Sequence, residues 1–364
     1  MTADVHRTVQ AKLDEMVAAN TQLGIQAAVY QHGELIVDAW SGHTDPSRTT
    51  LVARDALFPI FSCSKGLMYT VIHLLAERGE LDYDARVREY WPEFGQKGKA
   101  EATIRQVLIH TSGVQDITHD FHLYDWDGTC ARLAASEALW DPGTETAYRG
   151  LSSGFILGEV ARRVYGAPFG QIVAELICEP LAVTDLFFGV PASVKDRIAI
   201  LESDESVLTG PAASPDTRIM ADLFNTPSIQ ASAIPAGGAI TSARSLAKHY
   251  ASLIGDGVDG VRLLPRARTT IATTLETDAY DRTHKTPVRR GLGYQLGDTG
   301  IAMGGRITSF GHSGFGGSYG FADPDYGLSF ALTTNRLVST VPPEVPASVV
   351  LANTVREALS IPND

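Results

Sequence analysis

The chain has 364 residues, 44% of them hydrophobic, enough for one large core or two joined ones. Its 42 acidic residues outnumber 30 basic ones, and the net charge of −12 argues against nucleic acid or an anionic membrane as partner. No apolar run reaches the ~18 residues of a membrane span, and three cysteines (Cys63, Cys130, Cys178) at no metal-ligand spacing indicate neither a disulfide framework nor a zinc cluster.

Residues 4–20 set Val5, Val9, Leu13, Met16 and Val17 on one helical face, so the N-terminus reads as a helix and not as a secretion signal. A reduced, cytoplasmic protein is expected. Gly24 to Tyr30 and Leu35 to Trp40 flank a Gln-His-Gly-Glu turn and read as a β-hairpin. An apolar run from Leu57 leads into Ser62-Cys63-Ser64-Lys65-Gly66 and an amphipathic helical pattern that stops near Gly79. Helical pieces follow at Ile104–His110, Cys130–Leu139, Leu151–Val164 and Phe169–Ile177. Residues 201–235 lack periodicity and look like a long loop, after which Ser245 to Ile254 begins another helix. Strands return at Gly293–Leu296, Ser309–His312, Tyr319–Ala322 and Leu328–Thr333, with the turn Asp323–Gly327 between the last two. A helix from Ala347 to Leu359 follows. Strands at both ends with helices between predict one sheet built from both termini, with the middle packed beside it.

The chemistry sits first in Ser62-x-x-Lys65. Residues i and i+3 share a helix face, so the hydroxyl and the amine are expected to be neighbours. A neutral amine can take the hydroxyl proton and activate a weak nucleophile, and the helix N-terminus offers N–H groups to an oxyanion. The four-letter pattern recurs at Ser245-Leu-Ala-Lys248, which reads as an ordinary helix start with a solvated lysine. Cys63 reads as small packing and Ser64 as a supporting hydroxyl.

Three further segments widen the pattern. Ala102-Thr-Ile-Arg-Gln-Val-Leu-Ile-His110-Thr-Ser-Gly113 resembles the helix and turn after the nucleophile helix in serine β-lactamase-like proteins. Tyr148-Arg149-Gly150 resembles that superfamily's Tyr-x-Asn segment, and His312-Ser313-Gly314 resembles its Lys-Thr-Gly strand. The resemblance covers roughly residues 5–360 and is nearest to class C β-lactamases and family VIII carboxylesterases. It implies an α+β fold of the β-lactamase/penicillin-binding-protein type, an antiparallel sheet flanked by helices plus an all-helical lobe; the order of elements puts the first in residues 1–83 and 236–364 and a mostly helical lobe, with the long loop 201–235, in 84–235. It implies Ser62 as acylated nucleophile, Lys65 and Tyr148 as proton relay, and the N–H groups of Ser62 and Phe315 as oxyanion hole. His312, Ser313, Gly314 and Gly150 would meet the substrate. No cofactor and no metal are implied; the partners would be a small-molecule acyl donor and water or a small nucleophile as acceptor.

Two departures from the β-lactamase pattern bear on substrate. His312 replaces a lysine and is largely neutral at pH 7 at its ordinary pKa, and Gly150 replaces an asparagine that would hold an amide. Both favour a neutral ester or thioester over a β-lactam, hydrolysed or transferred through acyl-Ser62. The alternatives are a transacylase, a true β-lactamase, or a binding protein that kept the fold without the chemistry. Two weaker enzyme readings also exist. Gly-x-Ser-x-Gly occurs around Ser152 and Ser318, but the residues before Ser152 are not the buried parallel strand of an α/β-hydrolase and alternating βα units are absent. Asp116, His119, Asp120 and His122 could be drawn as a metal site, though a solvated loop is the plainer reading.

Overall fold

The computed structural model describes residues 2–117, 122–203, 216–338 and 345–362. Helix α1 (Thr2–Ala18) leads into the hairpin of β1 (Gly24–Gln31) and β2 (Glu34–Gly42). The remaining sheet strands come from the other end of the chain: β3 (Gln295–Leu296), β4 (Phe310–Ser313), β5 (Tyr319–Asp323) and β6 (Leu328–Thr334). The order is β2-β1-β6-β5-β4-β3, with every neighbouring pair antiparallel. The long-range pairing of β1 with β6, Val29 opposite Phe330, closes the sheet across the two ends.

The period-2 alternation of β1 decides what covers each face. Ile25, Ala27 and Val29 pack with Val9 and Leu13 of α1 and with Val355 of the C-terminal helix (Ala347–Ala358). Ala28 and Tyr30 face the other side, where Leu246, Ala247 and Tyr250 belong to the main core. Helix α2 (Ser64–Glu77) runs through the middle of that core. It was expected to be amphipathic, yet every residue from Ser64 to Ala76 is buried. Its polar side chains are accommodated by partners: His73 Nδ1 lies 2.7 Å from Tyr83 Oη and its Nε2 3.0 Å from the Leu292 carbonyl. Burial lowers that imidazole to about 3, so it packs neutral.

The helical middle opens with the short helices Val87–Tyr90 and Ile104–Leu108, and α3 (Trp126–Ala135) then starts four residues before the expected Cys130 because Asp125 accepts from Gly128 N at 3.0 Å and caps it. Helix α4 (Ser152–Tyr165) packs on α2 and α3. The expected loop over 201–235 needs correction. Residues 216–230 hold helix α5 (Asp216–Phe224) and a short turn of helix at Pro227–Gln230. Helix α6 (Ala243–Ala251) starts at Ser242, whose Oγ accepts from Ser245 N at 3.2 Å. Ser245 is thus buried in a cap, and Lys248 is ion-paired to Asp259 at 2.6 Å rather than solvated.

Candidate active site

The strand Phe58–Pro59 pairs with Ala239–Thr241 and delivers the chain into a single 3₁₀ turn, Phe61–Cys63, that runs on into α2. Phe61 is held at φ 46°, a conformation costly for a non-glycine residue, with its ring 4.7 Å from that of Phe224 and 5.7 Å from that of Phe315. This kink sets Ser62 at the mouth of the helix. Ser64 Oγ donates to the Phe61 carbonyl and accepts from Ala239 N at 3.0 Å, so it braces the turn as expected. Cys63 points away from the pocket and donates its thiol to the His312 carbonyl at 3.3 Å. Burial pushes that thiol far up.

Lys65 is fully buried and its Nζ lies 3.1 Å from Ser62 Oγ. The amine also donates to the carbonyls of Gly150 at 2.6 Å and Ala236 at 3.0 Å. Burial lowers it to about 7, with the charge of Asp116 opposing. Tyr148 comes from 86 residues away and donates its Oη to Ser62 Oγ at 2.8 Å. Burial raises its phenol pKa, and the bond to Ser62 works against that rise. The three side chains that the sequence singled out therefore meet at one oxygen atom. Ser62 and Phe315, whose amides are the expected oxyanion donors, both line the same cavity.

Two carboxylates hold this arrangement, and neither role was legible beforehand. Asp116 accepts from Gly150 N at 2.6 Å, Leu151 N at 3.1 Å and Ser152 N at 3.3 Å, at the start of α4. It thereby fixes the Gly150 carbonyl that receives Lys65. The metal reading of this segment fails for Asp116, which is committed to backbone amides, while His119 and Asp120 lie outside the described residues. Among the described residues no three such side chains cluster as a cation site. Asp281 accepts from Tyr148 N at 3.1 Å and from Arg290 at 2.7 Å. Burial would raise the Asp281 carboxyl, but His284 and the Arg290 guanidinium hold it well below the carboxylate range. Replacing Asp116 by Ala should cost roughly 1–3 kcal/mol, because three helix-start amides lose their acceptor. A lower melting temperature together with a reduced kcat is expected; an unchanged kcat would separate the cap from Lys65.

His312 is corrected: its ring is only 1% exposed, 6.0 Å from the Tyr148 ring, and it does not line the cavity. Burial and the Lys65 charge hold its pKa well below the ordinary value, so it contributes no cation. Ser313, Gly314 and Gly150 do line the cavity. A Cβ at Gly314 would fall 2.4 Å from the Ile60 carbonyl oxygen, which explains why only glycine lets β4 lie against the nucleophile turn. Ser152 is fully buried against Asp116 and Ser318 is 2% exposed beside the chain at Thr334, so neither Gly-x-Ser-x-Gly serine faces the cavity.

The cavity measures about 340 Å³. Ser62, Tyr148 and Phe315 line it together with the apolar Phe61 and Leu151 and with Ile219, Met220 and Phe224 of α5. Gln295 and His284 supply polar edges, and no lysine or arginine lines it among the described residues. Sequence reasoning missed α5 because residues 201–235 carry several polar and proline positions that mask its short apolar stripe.

Comparison with known proteins agrees with this architecture. The family model described as Beta-lactamase matches residues 9–353. The chain is 34% identical over 337 residues to the esterase/beta-lactamase LipL of Mycobacterium tuberculosis, covering 86% of this chain and 77% of that protein. Among solved structures, a family VIII carboxylesterase superposes with TM-score 0.87 at 31% identity over 97% of each chain. A penicillin-binding protein homologue from Caulobacter crescentus superposes with TM-score 0.85 at 30% identity, over 98% of this chain and 97% of that one. With its antiparallel sheet, its buried Ser-x-x-Lys helix and a match over nearly its whole length, the chain belongs to the β-lactamase family.

Proposed function

We infer that this protein is a serine ester hydrolase that cleaves a small, neutral carboxylic ester through an acyl-Ser62 intermediate. The observation that carries the reading is the convergence of Lys65 Nζ and Tyr148 Oη on Ser62 Oγ at 3.1 and 2.8 Å. A lysine lowered to about 7 is partly neutral at physiological pH and can accept the Ser62 proton, directly or through Tyr148. The proton then passes to the departing alkoxide. The amides of Ser62 and Phe315 are assigned to the carbonyl oxygen as it becomes an oxyanion, each donor worth ~10²–10³ in rate. We take the cleft to lie between a lobe of residues 1–83 and 236–364, which carries Ser62, and a mostly helical lobe of 84–235, which carries Tyr148. The first is supported by the sheet that joins residues 24–42 to 295–334, and Leu186–Phe188 of the second reaches across to pair with Ala239–Thr241.

The similarity to esterases and the lining of the cavity together support the substrate class. Among the described residues no lysine or arginine lines the cavity, and with His312 neutral a substrate carboxylate finds no fixed cation there. Ile219, Met220, Phe224 and Leu151 suit an aliphatic acyl chain. Each methylene buried there contributes ~0.8 kcal/mol, so kcat/KM should rise about fourfold per carbon until the cavity is full. Met220→Ala should move the preferred p-nitrophenyl ester to a longer chain; an unchanged preference removes α5 from acyl recognition. The decisive experiment is intact-protein mass spectrometry after brief exposure to p-nitrophenyl butyrate. A butyryl adduct on the wild type that is absent from Ser62→Ala supports the reading, and identical behaviour of the two proteins overturns it.

A further inference from the structure

We propose that His284, oriented by Asp281, is the general base that activates water against the acyl-enzyme; this rests on Ser62 being the acylated residue. The two half-reactions make different demands. In the first the proton leaves Ser62 Oγ, the atom on which Lys65 and Tyr148 converge. In the second it leaves a water that must reach the acyl carbon from the open side of the cavity, when Ser62 Oγ is already an ester oxygen. Lys65 is fully buried, is held by the carbonyls of Gly150 and Ala236, and does not line the cavity.

His284 is the one imidazole lining the cavity among the described residues. Its ring stands edge-on to that of Tyr148 at 4.8 Å, and its side chain is 37% exposed, open to solvent water. Its Nδ1 lies 3.3 Å from Asp281 Oδ1. A carboxylate on Nδ1 selects the tautomer with the proton there and the lone pair on Nε2, as the acid does for the imidazole of a serine triad. The same carboxylate accepts from His284 N at 3.0 Å and Thr283 N at 2.9 Å, which stiffens the turn. Thr283 Oγ1 donates to the Tyr148 carbonyl at 3.0 Å, and Tyr148 N donates to Asp281. One fully buried carboxylate, paired to Arg290, thus mounts both Tyr148 and His284 at the nucleophile.

Water gives a proton to His284 Nε2 while its oxygen bonds to the acyl carbon. The tetrahedral oxyanion collapses, the bond from carbon to Ser62 Oγ breaks, and Oγ takes the proton of Tyr148 Oη. The imidazolium returns a proton to Tyr148 through solvent, and the free carboxylic acid leaves.

The test is rapid-quench kinetics with p-nitrophenyl butyrate on wild type, His284→Gln and Ser62→Ala, reading nitrophenol release and acyl occupancy separately. His284→Gln is expected to acylate within about threefold of wild type and to deacylate ~10²-fold or more slowly, so that the acyl-enzyme accumulates. Hydroxylamine, a nucleophile that needs no base, should restore its turnover. Deacylation within about threefold of wild type, or equal losses in both half-reactions, overturns the role of His284. Acylation that survives in Ser62→Ala overturns the nucleophile itself, and the proposal with it.

Discussion

Ser62→Ala should lower kcat for p-nitrophenyl esters by at least ~10³ while leaving the fold intact. The hydroxyl is the single atom on which Lys65 and Tyr148 both converge, so its removal leaves a proton relay with nothing to deprotonate. Water in the vacated space could be polarised by the same groups, yet it would lack the position fixed by the kinked turn at Phe61, and effective concentration is a large part of the acceleration. The structural cost is small. Ser62 is the only member of the turn Phe61–Cys63 that is not buried, and the turn itself is braced by Ser64 and the ring of Phe224. A melting temperature close to wild type with turnover lost is the expected pair of results. Activity retained within tenfold would move the nucleophile elsewhere.

Lys65→Met should cost ~10²–10⁴ in kcat/KM, the range of a general base, and should also erase a pH dependence. Only the neutral amine can accept the Ser62 proton. With burial holding Lys65 at about 7, wild-type kcat/KM should fall about tenfold per pH unit below that value and level off above it. Stability carries the same signature with a definite sign. The unfolded lysine titrates near 10.5 and the folded one near 7, so between these values the unfolded chain binds the extra proton and stability rises with pH. Methionine, of similar length and without charge, should remove both slopes. A pH–rate limb near 7 that persists in Lys65→Met would assign it to another group. The variant also leaves the carbonyls of Gly150 and Ala236 without a donor, so a modest loss of stability should accompany it.

Local periodicity carried much of the architecture. The alternation in β1 and in β4 to β6, the stripe of Val5, Val9 and Leu13, and the turn at Asp323–Gly327 are short-range features, and each element lies close to where these patterns put it. The neighbouring of Ser62 and Lys65 was legible for the same reason, since residues three apart on a helix must share a face. Motif order then pointed to Tyr148, although nothing local could bring it to Ser62.

What only the tertiary structure decided is how each polar group is buried and whom it meets. Lys65 is lowered because α2 is enclosed on all sides, whereas its sequence reads as amphipathic. His312 turns inward against Tyr148 instead of facing a substrate, and Asp116 closes the start of α4 instead of holding a metal. Asp281, Arg290 and His284 carry no motif, yet they converge on Tyr148, and α5 supplies the acyl wall from a stretch without visible period. Secondary structure follows from interactions within a few residues of the chain, so one sequence discloses it. Desolvation, hydrogen-bond partners and cavity walls come from segments tens to hundreds of residues apart, and only their packing determines them.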